Sequence, residues 1–176
     1  MNSILNHPPK SMLEVWETLP EGTLCQLINN KLVMSAAPKD IHQAVLFDIA
    51  FEIQTYLKGN KLGKLRIAPY DVHFSKQNIF QPDLVFIKSE NMHRIEQKGL
   101  IGAPDLVIEV LSQATAQLDF GEKKSVYENY GVEEYFIVNP DSGNVDCFYL
   151  VNGIYEKKES EKGKIVSKVL GTEITF

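Results

Sequence analysis

Glu109 is the residue whose surroundings fit it least. In Leu106-Val-Ile-Glu-Val-Leu111 every other position is aliphatic, which is the composition of a central strand covered on both faces. The residues two places away on its own face are Val107 and Leu111, so a bare carboxylate there needs a proton, a cation or a hydrogen-bond partner. A structural salt bridge would satisfy it, and so would a metal or catalytic role. Asp105 opens the same strand on the same face, but four residues of strand place it ~13 Å away, too far to share one ion directly. An aspartate from an adjacent strand is the better companion. Asp83, at the head of another strand entered through proline, is the leading candidate, although alone it would read as an exposed strand end.

A second misplaced charge lies downstream. On a helix over residues 119–130, stopped by Gly131, at ~100° per residue Phe120, Val126, Tyr127 and Tyr130 mark an apolar arc. Lys123 falls in its middle and Lys124 on its edge. Such a lysine commonly snorkels along the apolar surface. This helix directly follows the Glu109 strand, however, so its first turn can return Lys123 to the carboxylate. Two misplaced charges of opposite sign are better explained together.

The elements that must position these groups follow from periodicity and turn chemistry. Ser11-Met-Leu-Glu14 has capping-box spacing and predicts a short helix to about residue 19. Segments 24–28 and 31–34 flank Asn29-Asn30, a hairpin signal. Over 40–57 the apolar residues Ile41, Val45, Ile49, Ile53 and Leu57 recur every fourth position before Gly59, predicting the first long helix. His42 falls on its covered face with Val45, Leu46, Ile49 and Ile53; it reads first as a satisfied core histidine, with a place beside the site as the alternative. Strands are predicted at 64–68, 70–74, 83–87, 106–111 and 134–138, with a short polar helix over 90–97 between the third and fourth. The turn signals at 139–143 and at Asn152-Gly153 predict a C-terminal meander of strands. Helices interleaved with strands, then strands alone, argue for an α/β or α+β chain with a mixed sheet carrying helices.

At 176 residues and 44% hydrophobic composition the chain can bury one substantial core, and we read residues 1–176 as a single domain. Its formal charge is −5, with no basic block to offset it. That argues against a passive nucleic-acid coat protein but not against a nuclease, whose bound divalent metal would supply the missing positive charge. Cys25 and Cys147 lack metal-motif spacing and suit a reducing compartment, so the cytoplasm is expected, with a single disulfide as the alternative. Residues 1–10 have no apolar core of a signal peptide, and no apolar run reaches the ~20 residues of a membrane span. His7, His73 and His93 have no zinc-type spacing. There is also no Gly-rich phosphate loop, G-x-S-x-G elbow or reactive-cysteine signature, which argues against those enzyme classes.

Several of these segments, taken in order, resemble one family. They are Gln81-Pro-Asp-Leu-Val-Phe-Ile87, Gly102-Ala-Pro-Asp-Leu-Val-Ile-Glu-Val-Leu-Ser112 and Asp119-Phe-Gly-Glu-Lys123, followed by Tyr127 and Gly131-Val-Glu-Glu-Tyr-Phe-Ile-Val-Asn-Pro140. The ordered set is similar to the Uma-two-type family of restriction-like endonucleases, over about residues 16–171. The resemblance implies a restriction-endonuclease-like mixed central sheet flanked by helices, with the N-terminal hairpin and C-terminal meander attached. It also implies Asp83 and Glu109 as ligands of Mg²⁺ or Mn²⁺, joined by the Val110 carbonyl. The usual signature of that superfamily places a lysine two residues after the second acid, where this chain has Leu111. The family resembles one in which the lysine has moved to the next helix, at Lys123.

The implied chemistry is metal-assisted hydrolysis of a DNA phosphodiester, with the two carboxylates holding the cation and Lys123 orienting water or stabilising charge at phosphorus. A homodimer is expected, because two sites are needed to cut two antiparallel strands. One departure stands in the first hairpin. Where the family reads Glu-Leu-Ile-Asp-Gly, this chain has Gln26-Leu-Ile-Asn-Asn30, so a neutral oxygen replaces a charged one and would weaken metal binding. The alternative function is therefore a nuclease-like nucleic-acid-binding or interaction module without turnover.

Overall fold

The computed structural model describes residues 7–112 and 114–176. Most of the N-terminal stretch read as lacking a leader, residues 1–6, lies outside the described residues. The first helix, α1 (Met12–Glu17), is capped by Ser11, whose Oγ accepts from Glu14 N at 3.2 Å. Glu14 returns a bond to Lys10 N, one residue earlier than a standard capping box. Strands β1 (Cys25–Ile28) and β2 (Lys31–Met34) pair antiparallel across Asn29 and Asn30, at φ 47° and 62°. Positive φ at both central residues is what a tight hairpin turn demands and asparagine tolerates. Next comes α2 (Asp40–Gly59), which buries His42, Leu46, Ile49, Ile53 and Leu57.

Strands β3 (Gly63–Ile67), β4 (Val72–Ser75), β5 (Asn78–Phe80) and β6 (Leu84–Lys88) follow. The polar helix predicted over 90–97 is a 3₁₀ turn, Ser89–Arg94, leading into a hairpin of β7 (Ile95–Glu96) and β8 (Gly99–Ile101). After β9 (Leu106–Val110) the chain enters α3 (Ala116–Leu118), a π-helical turn (Asp119–Lys123) and α4 (Lys124–Asn129). Gly131, at φ 82°, ends this run where the sequence predicts a stop. The remainder is β10 (Glu134–Val138), β11 (Val145–Val151), β12 (Ile154–Glu159), β13 (Lys164–Ser167) and β14 (Thr172–Thr175).

The central sheet is mixed, in the order β12-β11-β10-β9-β6-β3, and only β9 and β10 run parallel. The N-terminal hairpin is not part of it. It joins β5, β4, β8 and β7 in a second six-stranded sheet, because β5 and the β7–β8 pair, both unmarked in the sequence, carry the ladder onward. Side chains alternate between the two covered faces of the central strands. Leu84, Phe86, Leu106, Ile108, Phe136 and Val138 face the core beneath α2 and the β13–β14 hairpin. Val85, Ile87, Val107, Tyr135 and Ile137 face α4 and the second sheet. Both cysteines are free and buried, Cys25 in the second sheet and Cys147 in the central one.

Candidate active site

The antiparallel register of β6 and β9 sets Leu84 opposite Ile108, which brings Asp83, one residue before β6, alongside Glu109. The two residues are tied in both directions. Asp83 N donates to Glu109 Oε2 at 3.3 Å, and Val110 N donates to Asp83 Oδ2 at 2.8 Å. Strand alternation turns Glu109 away from the α2 core and toward α4, leaving it only 3% exposed. Asp105, excluded as a companion on distance, is used elsewhere, accepting from Lys88 N at 2.7 Å and Asn91 Nδ2 at 2.6 Å.

Lys123 reaches Glu109, as the pair of misplaced charges required. Its Nζ lies 2.5 Å from Glu109 Oε1 and 2.9 Å from Asp119 Oδ1, all three groups being buried. The same Glu109 oxygen accepts from the Tyr127 hydroxyl at 2.7 Å. Tyr127 packs at ring-centroid distances of 4.8–5.6 Å on Tyr135, Phe74 and Phe80. The apolar arc drawn for this helix holds for Val126 and Tyr127 but fails at Phe120 and Tyr130, which are exposed. For Phe120 the π-helical turn is the reason: its extra residue advances the register, so positions counted at ~100° apiece across it no longer share a face. Tyr130 lies beyond the turn, just after the last residue of α4, and its ring packs on Phe74 at a centroid distance of 5.5 Å. Asp119 was not foreseen. Its signal in the sequence was the i,i+4 spacing to Lys123.

Burial raises the Glu109 carboxyl from its ordinary 4.5 to about 8; Lys123 opposes that rise, and the charges of Asp119 and Asp83 add to it. Burial by itself would strip the Lys123 proton, but Glu109 and Asp119 outweigh it and the ammonium is held well above its usual range. Lys123 is the fixed cation of the cluster. Burial keeps the Tyr127 hydroxyl protonated, hence a donor.

His42 is not the satisfied core histidine of the first reading. Its Nε2 lies 3.2 Å from Asp83 Oδ2, while its buried Nδ1 has no hydrogen-bond partner among the described residues. Burial disfavours the imidazolium, yet the Asp83 hydrogen bond and charge, with Val110 and Glu109, lift its proton affinity overall. Gln26 is also at the site, but its side-chain oxygen accepts from Gln81 N at 3.0 Å. His42, Gln26, Asp83, Glu109, Val110 and Lys123 all line one cleft of about 580 Å³.

The donor chemistry fits a small hard cation. Both carboxylates and the Val110 carbonyl are oxygen donors, the class that Mg²⁺ and Mn²⁺ prefer. Asp83 Oδ2 takes both of that side chain's bonds, leaving Oδ1, and Glu109 Oε2 has only the long contact to Asp83 N. Among the described residues no group of three His, Cys, Asp or Glu side chains converges as a complete metal cage. Mg²⁺ does not require one, since it is commonly held by one or two carboxylates and keeps its waters.

The sequence model of the Uma2 family, described as "Putative restriction endonuclease", matches residues 12–176. The chain belongs to the Uma2 family. Among solved structures, this Uma2 chain is similar to one described as a putative nuclease belonging to DUF820 from Anabaena variabilis, with a TM-score of 0.75 and 18% identity over 93% of this chain and 92% of that one. At that identity the likeness establishes a shared fold. Comparison with curated proteins returns no match. No helix among the described residues is long and apolar enough to cross a membrane.

Proposed function

We propose that this Uma2 chain is a divalent-metal-dependent endonuclease that hydrolyses DNA phosphodiester bonds. The observation that carries the proposal is the buried Glu109 carboxylate, coupled to Asp83 in both directions and lining an open cleft together with Lys123. Asp83, Glu109 and the Val110 carbonyl would hold Mg²⁺ or Mn²⁺. When bound, the cation supplies positive charge to the scissile phosphate and makes an attacking water more acidic. Lys123, kept protonated by Glu109 and Asp119, offers a fixed positive charge toward the phosphorus centre at no cost of reorganisation. Tyr127 and the π-helical turn hold Glu109 and Lys123 in register. Two copies of the chain would present two such sites to the two strands of a duplex. The free, buried cysteines suit the reducing cytoplasm as its place of action.

A second reading is favoured by Gln26, whose oxygen is committed to Gln81 N. It is a nuclease-like module that binds nucleic acid without turnover. The test is to incubate the protein and its Glu109→Ala variant with supercoiled and single-stranded DNA in Mg²⁺, Mn²⁺ or EDTA. Metal-dependent cleavage that disappears in the variant is expected. DNA binding without cleavage under every condition supports the second reading.

A further inference from the structure

Helix α2 has a second face, centred on two aromatic rings, that nothing among the described residues covers. The stacked rings of Phe47 and Phe51 lie on it, 65% and 56% exposed with centroids 6.3 Å apart. They belong to a longer pattern. Asp40, Ala44, Phe47, Phe51, Gln54 and Lys58 are all exposed, and their alternating spacings of four and three residues make the stripe of a helix-pairing seam. At ~100° per residue all six fall within ~80° of one another, on the side opposite the buried stripe of Leu46, Ile49, Ile53 and Leu57.

The stripe is also its own complement. Its positions are symmetric about residue 49, so an antiparallel copy of the helix sets Phe47 against Phe51, Ala44 against Gln54 and Asp40 against Lys58. At the flanks the two-fold keeps each position on its own side of the seam, so Ala50 meets Ala50 and Asp48 meets Asp48 near the axis, one like-charge contact at the exposed edge. Neither Asp40 nor Lys58 has an ion-pair partner within the chain among the described residues. An isologous two-fold contact requires this self-complementarity, since residue i must meet j while j meets i.

We infer that α2 is the dimerisation helix, seated antiparallel against α2 of a second copy about a two-fold axis at residue 49. The function proposed above expects paired copies, but the choice of surface rests on α2 alone. Each α2 then has one face in its own core, carrying His42 to the cleft, and the other face in the interface.

The register can be tested directly. Ala44→Cys and Gln54→Cys proteins, mixed and oxidised with the full chain intact, should form a disulfide-linked pair, because these positions meet across the axis. Ala44→Cys alone should not, since its two copies sit ~15 Å apart along the helices, beyond disulfide reach. The native Cys25 and Cys147 are buried and should stay silent. By sedimentation equilibrium, Phe47→Ser with Phe51→Ser should weaken self-association by at least ~100-fold. Asp40→Lys should weaken it by a few-fold, and adding Lys58→Asp in the same chain should restore it. Circular dichroism reports whether each variant is folded. A dimer that ignores the phenylalanine changes, or cross-links through Ala44→Cys alone, overturns this interface and leaves the proposed function standing. A wild-type chain that stays monomeric at every concentration overturns both this interface and the expectation of paired copies, and would leave the phenylalanine face to a different protein.

Discussion

Glu109 and Glu134 are both buried glutamates, on the parallel neighbours β9 and β10, and they have opposite fates. Glu134 faces the α2 side of the sheet and is saturated by uncharged donors: the Ser167 hydroxyl at 2.6 Å, Lys168 N at 2.7 Å and Val169 N at 3.2 Å. Glu109 faces the other side, where an ammonium and a phenol crowd one oxygen and the second retains only a long backbone contact. Burial raises the proton affinity of both carboxyls. Burial of a carboxylate therefore does not mark a site. What separates the two is the unspent oxygen and the clustered charge; both border a cavity, of about 580 Å³ at Glu109 and about 230 Å³ at Glu134.

The largest contrast should appear in cleavage. Glu109→Ala should lower metal-dependent cleavage by at least ~10³-fold, while Glu134→Ala, once shown to be folded, should leave the rate within a few-fold of wild type. Equal losses would erase the distinction. Lys123→Met should reduce cleavage by ~10²-fold, as loss of a fixed charge at the reacting centre does. Its Mn²⁺ affinity, followed by electron paramagnetic resonance, should change by less than ~10-fold, since no metal ligand is removed.

Stability should invert the ranking. Glu134→Ala strands the Ser167 hydroxyl and two backbone N–H groups and should cost about 2 kcal/mol in urea unfolding. Tyr127→Phe removes one bond to Glu109 and should cost about 1 kcal/mol. The pH response sharpens the comparison further. Because the folded Glu109 carboxyl titrates at about 8 against an ordinary 4.5, the fold favours its protonated form. Its contribution is full below the ordinary value and is lost as pH rises toward 8. In EDTA, the melting temperature of Glu109→Gln relative to wild type should therefore rise between about pH 5 and pH 8. A difference that stays flat or falls would mean that Lys123 holds Glu109 ionised throughout.

Glu109 was legible because six consecutive residues described a strand covered on both faces, and a charge inside it demanded a partner. Lys123 followed by the same logic. Asp119, Tyr127 and the role of His42 did not, because apolar periodicity reports which face of a helix is covered but not what covers it. The π-helical turn further defeated any count made at a constant angle. Strand β5 and the β7–β8 hairpin escaped because two or three residues carry too short a period to register.

By itself the sequence determined the α/β pattern, the hairpin turn at Asn29-Asn30, the caps at Ser11 and Gly131, and the need to compensate Glu109. These are local matters of dihedral preference, desolvation and spacing. Only the tertiary structure decided that His42 would meet Asp83, that Gln26 would turn its oxygen to Gln81, and that the hairpin would leave the central sheet for a second one. Those outcomes depend on strand order and register, which bring together residues dozens of positions apart, and no local energy term specifies them.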